Sequence, residues 1–593
     1  MKDTIVIIDS GIDKKYENIL GGVTISFADD ALFLTNETYK DEVGHGTAIY
    51  HIINDACENI NFFIVKIFNT YETNPNLLFH ALQYVHDNVP CEFIIISSGA
   101  AACQNKKAVA EIINKLHLEK NIFIVSAFNN DGALSFPSSH PNVIGVDSSE
   151  FVSATENYYI VKNSPVNILS SKRTQRLKWL NGTKQIISAN SFLAPEYAAM
   201  LIESYQKSER TINNNDDLLD CICYKENKIN VDENGEYVKI KNRLSLDYLP
   251  KVSDKKPRAI VFPFAKEIQT MAANEDLLQV DIVDYYDIRQ SGKIGLEVGN
   301  LLGYCKNKKN IKDIQAIDWT SDRFDMIILG HCSHISAATN HDWFSYIYDL
   351  AREHDKYVLS FDPTDQAELD YPKLLSPPVI TSFASTTFGK LQQISSPVLG
   401  VYGTSSKQGK FSLQLNLRRR FQKDGFVVGQ LATEPTGYLF GMDYTLPTGF
   451  NRSIHLAQES MALFLNDIMH ECSLNEPSII LTGCQSSTLA PTWVHYSQLA
   501  FSQYEFLIGT LPDGILLVVN KYDRIRYIQR TIAFIEATTD SSVIACVISP
   551  VKNSHAKAFD STSELSAQIN KPVFEFKDIE GIYKASIGFF GGG

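Results

Sequence analysis

Gly44-His45-Gly46-Thr47-Ala48 sets a histidine between two glycines, just ahead of an apolar run that ends at Ile53. Such a histidine is either a catalytic base or the first residue of an ordinary helix. A base needs a nucleophile, a carboxylate that fixes its tautomer, and donors for a developing oxyanion. Upstream, TIVIID (4–9) reads as a buried strand ended by Ser10-Gly11. Asp9 lies at its carboxyl end, where open α/β sheets place functional groups. Downstream, NFFIVKIF (61–68), CEFIIISSG (91–99) and KNIFIVSAFNNDG (120–132) read as further strands. A helix around LLFHALQYVHDN separates the first two, and ISANSFLAPEYAAMLIESY (187–205) reads as a tight turn opening into a helix. This alternation implies a parallel sheet with helices on both faces.

The pattern resembles the subtilisin-like serine peptidases. The family's Asp motif matches IIDSGID, its His motif GHGTA and its Ser motif NSFLAP, so Asp9, His45 and Ser191 stand in the family's order. Asn130 matches the oxyanion asparagine, and SFPSSHPNVIGV (135–146) matches the proline-containing segment after it. The resemblance implies that His45 takes the Ser191 proton and that Asp9 orients the imidazole. Asn130 and the Ser191 N–H, at a helix amino end, would then stabilise the oxyanion. It also implies a substrate-pairing strand through Ser98 and Gly99. Phe128 and Asn129 stand where the family has small residues lining the primary specificity pocket, which predicts a preference for a small residue before the cut. Ala189-Asn190 replaces the usual Gly-Thr, and Glu196 replaces a family histidine.

The totals set outer limits. With 593 residues, three or four domains are expected, and 44% hydrophobic with 21% charged residues is ordinary for globular protein. A net charge of -14 argues against broad nucleic-acid or anionic-membrane binding. Arg418-Arg419-Arg420 fits a helix end better than a DNA reader. Ten scattered cysteines without a CxxC repeat are read as free thiols, and neither zinc nor haem is expected. The absence of a long apolar run and the early aspartates predict a cytoplasmic protein with no spanning helix.

Residues 206–256 are polar and read as a linker, with one hairpin at Asn234-Gly235. Beyond it, AIVFPF, LLQVDIVDYYD, FDMIILGH and KYVLSFD predict a Rossmann-like α/β domain over 257–386. There His331-Cys332 reads as a strand-terminal turn in preference to a catalytic pair. After Ser396-Pro397, VLGVYGTSSKQGKFSLQLNLRRRF gives a strand, a loop and an amphipathic helix. Common phosphate loops have four residues between the glycines and a hydroxyl straight after lysine. Here five separate Gly403 from Gly409, and the hydroxyl, Ser412, comes one place late.

The loop is similar to the variant of dethiobiotin-synthetase-like ATPases, which has the same gap. In that reading the amides of 405–410 cradle phosphate, Ser405 among them, and Lys410 bridges it. Ser412 or Thr404 would face Mg²⁺. Asn520 in the strand-ending NKYD (520–523) is a candidate base contact, for ATP or GTP. Three α/β domains are thus expected: a subtilisin-like parallel-sheet domain at 1–205, the Rossmann-like domain, and a P-loop NTPase-like nucleotide-binding domain at 387–593. DIRQSGKIG (287–295), the loop, ATEPTG (432–437) and TGCQSS (482–487) resemble a family, formerly of unknown function, that includes D-glutamate N-acetyltransferases. They are still more similar to its branch of maturation proteins for clostridial peptide natural products. Glu434-Pro435 stands where that family has Gly-Gln, which weighs against acetyl transfer. The same loop could serve ATP-driven activation of a peptide carboxylate.

Together these features predict an intracellular serine endopeptidase that removes the leader of a precursor peptide, with a nucleotide-binding half that binds or modifies the peptide. An ATP-regulated cytosolic protease and a non-catalytic maturation scaffold are the alternatives. Oligomeric state is not legible.

Overall fold

The computed structural model describes residues 2–28, 31–36, 38–68, 76–97, 105–130, 134–149, 152–153, 157–224, 227–231, 241–244, 256–302, 305–363, 371–383, 385–448, 452–491, 496–551 and 557–591. It is a multidomain α/β protein that divides into two compact units. One is Met1–Glu233 with Ala384–Gln393, the other Asn234–Phe383 with Ile394–Gly593.

In the first unit the strands are β1 (Asp3–Asp9), β2 (Ile19–Ala28), β3 (Ala31–Asn36), β4 (Ile60–Lys66), β5 (Phe93–Ile96), β6 (Phe123–Ala127), β7 (Ile144–Ser149), β8 (Tyr158–Lys162), β9 (Ile168–Ser171) and β12 (Lys228–Asn230). They form one sheet in the order β12-β8-β9-β7-β6-β5-β1-β4-β2-β3, parallel from β9 across to β2. A separate hairpin joins β10 (Gln175–Lys178) to β11 (Lys184–Ile187). The helices are α1 (His45–Ala56), α2 (Asn76–Asn88), α3 (Lys106–Asn114), α4 (Asn190–Lys207) and α5 (Asn215–Asp220). Ile5 and Ile7 of β1 pack toward Ile49 of α1 and Leu201 of α4. Val6 and Ile8 point the other way, to Leu82 of α2 and Ile113 of α3. Burial on both faces makes such strands read as unbroken apolar runs. The strand order reverses beside β1, so Asp9 ends its strand at a switch point where α/β sheets hold their sites.

The expected linker is partly structured. Leu218, Leu219 and Ile222 join the first unit's core, and β12 pairs with β8, so this unit runs well past residue 205. Leu244 is buried in a core of the second unit, and the hairpin expected at Asn234-Gly235 lies outside the described residues.

The second unit holds two parallel sheets. The first contains β13 (Arg258–Phe262), β14 (Asp281–Asp287), β15 (Ile311–Asp313), β16 (Met326–Leu329), β17 (Tyr357–Ser360) and β18 (Leu374–Leu375), ordered β15-β14-β13-β16-β17-β18. The second contains β19 (Val398–Gly403), β20 (Val428–Ala432), β21 (Tyr444–Thr445), β22 (Ile479–Gly483), β23 (Gly514–Val519), β24 (Ser542–Ile548) and β25 (Val573–Glu575), ordered β21-β20-β22-β19-β23-β24-β25. Val261, Phe264 and Tyr285 of the first layer share a core with Leu415, Leu439 and Phe440 of the second. The two expected domains thus form one body, because apolar side chains fill the space between them. Among the described residues no helix is long and apolar enough to cross a membrane.

Candidate active site

Asp9 is fully buried at the end of β1, and one carboxylate oxygen accepts the Ser10 N–H at 2.7 Å. His45 opens α1, with Nδ1 2.9 and 3.0 Å from the two Asp9 oxygens. A carboxylate there can only accept, so Nδ1 carries the proton and Nε2 is the basic nitrogen. Both flanking glycines are dictated by space. Gly44 has φ 96°, and a Cβ on it would lie 2.1 Å from Trp179 Nε1, on the segment between β10 and β11. A Cβ on Gly46 would lie 2.3 Å from the Gly11 carbonyl.

Asp41, which carried no sequence assignment, organises this turn. Its buried carboxylate accepts the N–H groups of Val43 (2.9 Å), Gly44 (2.8 Å) and Thr47 (3.0 Å), and the Thr47 hydroxyl (2.7 Å). Burial alone would raise its pKa, but these four donors hold it below the ordinary 3.8. Asp41→Ala is expected to cost about 1–3 kcal/mol, because it leaves buried donors unpaired. The sign with pH follows from the depressed value. The Asp41 contribution is complete above the unfolded pKa and is lost as pH falls through the lower folded one. Urea midpoints at neutral pH and in acid check this; equal midpoints for variant and parent at neutral pH would remove the role.

Ser191 is the second residue of α4, and its neighbours tie it to the other groups. Phe192 packs against the His45 ring at 4.7 Å between centroids. On the other side, the Asn190 N–H donates to Asn130 Oδ1 at 3.1 Å. With Oδ1 engaged, the Asn130 amide group is left as a donor at this turn. The Asn190 side chain is buried. It donates to Asp147 Oδ1 (2.8 Å) and the Phe128 carbonyl (3.2 Å), and accepts from Ser148 Oγ (2.6 Å). Asp147 is buried in β7 and pairs with Lys390 Nζ at 3.0 Å, from the stretch 384–393 that belongs to this unit. Asp147 had a local sign, a charge inside the apolar run IGVDSS, but Lys390 had none.

Phe128 has a buried side chain. Its N–H bonds to the Val146 carbonyl at 2.9 Å, prolonging the sheet, and the pleat turns its side chain into a core with Val161, Val166 and Leu169. Asn129 is half-buried, so the predicted pocket shape now rests on Asn129 alone. Ser98 and Gly99 lie outside the described residues.

In the second unit, Gly403 ends β19 and Lys410 begins the helix Lys410–Lys423, with Gly409 between them at φ 89°. The intervening loop is held from within by Gln408, which is buried. Its Oε1 accepts the Ser405 N–H (2.9 Å), and its Nε2 donates to Thr404 Oγ1 (2.7 Å). A Cβ on Gly403 would lie 2.5 Å from Gln408 Oε1, so this glycine gives the loop its room. Lys410 is buried and donates to the Ser405 carbonyl at 2.7 Å; burial lowers its pKa. Asn520 donates to Ser405 Oγ at 3.0 Å, while Asp523 accepts the Thr404 hydroxyl and the Asn520 N–H. The NKYD carboxylate is therefore spent on holding the loop. The residue after the lysine, Phe411, packs on Phe440 at 5.7 Å. Apolar packing thus occupies the place where common phosphate loops put their Mg²⁺ hydroxyl, and Ser412 follows one position later on the helix.

Fold and sites together define an α/β protein with a hydrogen-bonded Asp9–His45 pair in one unit and a phosphate-loop architecture in the other. Residues 385–579 match the family described as "Domain of unknown function (DUF1611_C) P-loop domain", and this stretch is a P-loop domain of that family. Among solved structures, the chain is similar to a DUF1611 family protein from Anabaena variabilis (13% identity, 56% of this chain and 99% of that one, TM-score 0.40). It is also similar to the nisin leader peptidase NisP from Lactococcus lactis (17% identity, 37% of this chain and 80% of that one, TM-score 0.31). A cold-adapted subtilisin-like serine proteinase matches at 18% identity (37% and 79%, TM-score 0.30). No curated protein matches the chain.

Proposed function

We propose that the first unit is a serine endopeptidase that removes the leader of a precursor peptide in natural-product maturation. The P-loop half binds a nucleotide, ATP or GTP, and through it binds or modifies the same peptide. The observation that carries the peptidase reading is the two-sided tie on Ser191: His45, oriented by Asp9, lies against Phe192, and Asn130 clasps Asn190. In this mechanism His45 Nε2 takes the Ser191 proton as Oγ attacks the scissile carbonyl, and Asp9 stabilises the imidazolium. The Asn130 amide and the Ser191 N–H receive the oxyanion, each donor being worth about 10²–10³ in turnover. The imidazolium then protonates the leaving amine, and water repeats the cycle on the acyl-enzyme.

In the P-loop half, the amides of 405–410 and Lys410 would hold phosphates, with Ser412 or Thr404 as the hydroxyl toward Mg²⁺. A bound nucleoside triphosphate supplies a transferable phosphoryl group. Leader removal is carried by the resemblance of the motifs.

The test is labelling of the full chain with a fluorophosphonate, beside Ser191→Ala. Labelling that vanishes in the variant is the expected result. Labelling that persists in Ser191→Ala would place the reactive group elsewhere, and no labelling with or without Mg-ATP would leave the first unit a scaffold.

A further inference from the structure

The first unit has a cavity of about 610 Å³ that the proposed peptidase chemistry does not use. Its walls come from the residues just after β1, the segment before α1, Thr24 of β2 and Lys66 at the end of β4. A short ladder ties two of these walls together. The Ile12 N–H donates to the Tyr39 carbonyl at 3.0 Å, and the Asp41 N–H donates to the Ile12 carbonyl at 2.8 Å. The cavity is thus built on the same segment as Asp41, which organises the turn at His45.

Two observations give this place a chemical character. The first is its charge. Lys14, Lys15, Lys40 and Lys66 line it against Asp13 and Glu42, in a chain whose net charge is -14. Behind the wall, the Asp9 and Asp41 carboxylates are spent on His45 and on the four donors of the turn. Among the described residues, none of the four lysines is within ion-pair distance of a carboxylate. Lys66 is the decisive one. It is 6% exposed, and its Nζ donates to the Lys40 carbonyl at 2.6 Å. An ammonium has three protons to donate, and a buried one without a counter-ion is costly until an anion reaches it. Lys14, Lys15 and Lys40 are exposed and can turn toward the same ligand. The second observation is the neighbouring sheet edge. Thr24 on the cavity wall pairs with Thr35 of β3, and β3 ends the sheet order with Leu32, Phe33 and Leu34 exposed. An apolar edge strand is a template for an added strand. The cavity is also far larger than one inorganic anion needs.

We infer that cavity and edge form one docking site for an extended acidic peptide segment. Its apolar residues lie along β3, and its carboxylates meet Lys66 and the three exposed lysines. No bond is made or broken there; the site holds the peptide. That the segment belongs to the substrate rests on the peptidase reading above, and the site then names the substrate class. It is a precursor in which several Asp or Glu residues follow an apolar stretch.

The test uses the full chain with Ser191→Ala, which keeps the probe intact, and two fluorescein-labelled peptides. One is Ala-Val-Thr-Val followed by four glutamates, and the other carries four glutamines instead. Anisotropy should show the glutamate peptide binding at least about tenfold tighter, the worth of one charge-assisted hydrogen bond, with the preference shrinking at high salt. Adding Lys66→Met should weaken the glutamate peptide about tenfold and leave the glutamine peptide unchanged. Lys14→Ala with Lys15→Ala should weaken it in part, and these exposed positions carry the test if Lys66→Met does not fold. In the chain with Ser191 intact, a chromogenic peptide joined to each segment should show a lower KM with the glutamates at unchanged kcat. Equal affinity for the two peptides, or lysine variants that bind like the parent, overturns the docking site. Free glutamate competing as well as the glutamate peptide overturns the peptide occupant. If the glutamate preference and its lysine dependence hold but nothing is cleaved, the docking site stands and the peptidase reading fails.

Discussion

Asp9→Asn is expected to lower kcat on a chromogenic peptide about 10⁴-fold while the fold persists. Asp9 only accepts, so it holds the His45 proton on Nδ1. An asparagine can turn its NH₂ group toward the ring, which stabilises the opposite tautomer and occupies the nitrogen that must take the Ser191 proton. A pH signature accompanies the loss. Burial pulls the His45 pKa down, but the charge and hydrogen bond of Asp9 and the charge of Asp41 outweigh it, leaving the value above 6.5. The base must be neutral to act, so kcat/KM of the parent should fall as pH drops through that raised value. In Asp9→Asn the acid limb should move to lower pH. A variant as fast as the parent, with an unmoved limb, would remove Asp9 from the mechanism.

The second large effect is expected at Lys390. Lys390→Met keeps most of the side-chain volume but leaves the Asp147 carboxylate, 2% exposed, without its cation. Removing one partner of a buried pair typically costs about 3–5 kcal/mol. Adding Asp147→Asn should recover part of that loss, because no charge is then left buried. Denaturant midpoints of the two singles and the double measure the coupling. Activity should report more than stability. Asp147 holds the Asn190 amide, and Asn190 precedes the proposed nucleophile and binds Asn130. At temperatures where Lys390→Met is fully folded, kcat should fall with little change in KM. Equal stability of Lys390→Met and the parent would show that the pair contributes nothing.

What was legible in the sequence divides along physical lines. Strands buried on both faces, such as β1, β5 and β23, announce themselves as apolar runs, and they fix the α/β class. Asp9, His45, Ser191 and the loop 403–410 stood out as candidates because each sits in a short motif with glycines or at a helix entry. For Phe128 the resemblance gave a position but not a direction, and the continued pleat after β6 turns the side chain into a core. The polar stretch after residue 205 hid Leu218, Leu219 and Ile222, too few apolar residues to outweigh their neighbours. The expected divide at 386 separated two runs of alternating strands and helices, whereas Leu415 and Phe440 share one core with residues of β13 and β14. Gln408 and Asp147 show the limit most clearly. Each acts through partners, and partners are a property of the fold.

The membership of 384–393 in the first unit also has a meaning in time. A ribosome completes the sheet, α4 and β12 by residue 233, so nearly every group of the proposed peptidase is present early. Lys390 follows roughly ten to thirty seconds later, at about 5–20 residues per second. Until then Asp147 has no cation, and the turn before Ser191 lacks its last support. On the proposed peptidase reading, the chain delays its hydrolytic competence until the Rossmann-like layer has been made, which gives the nascent chain a period in which an exposed peptide, including its own, is safe from Ser191.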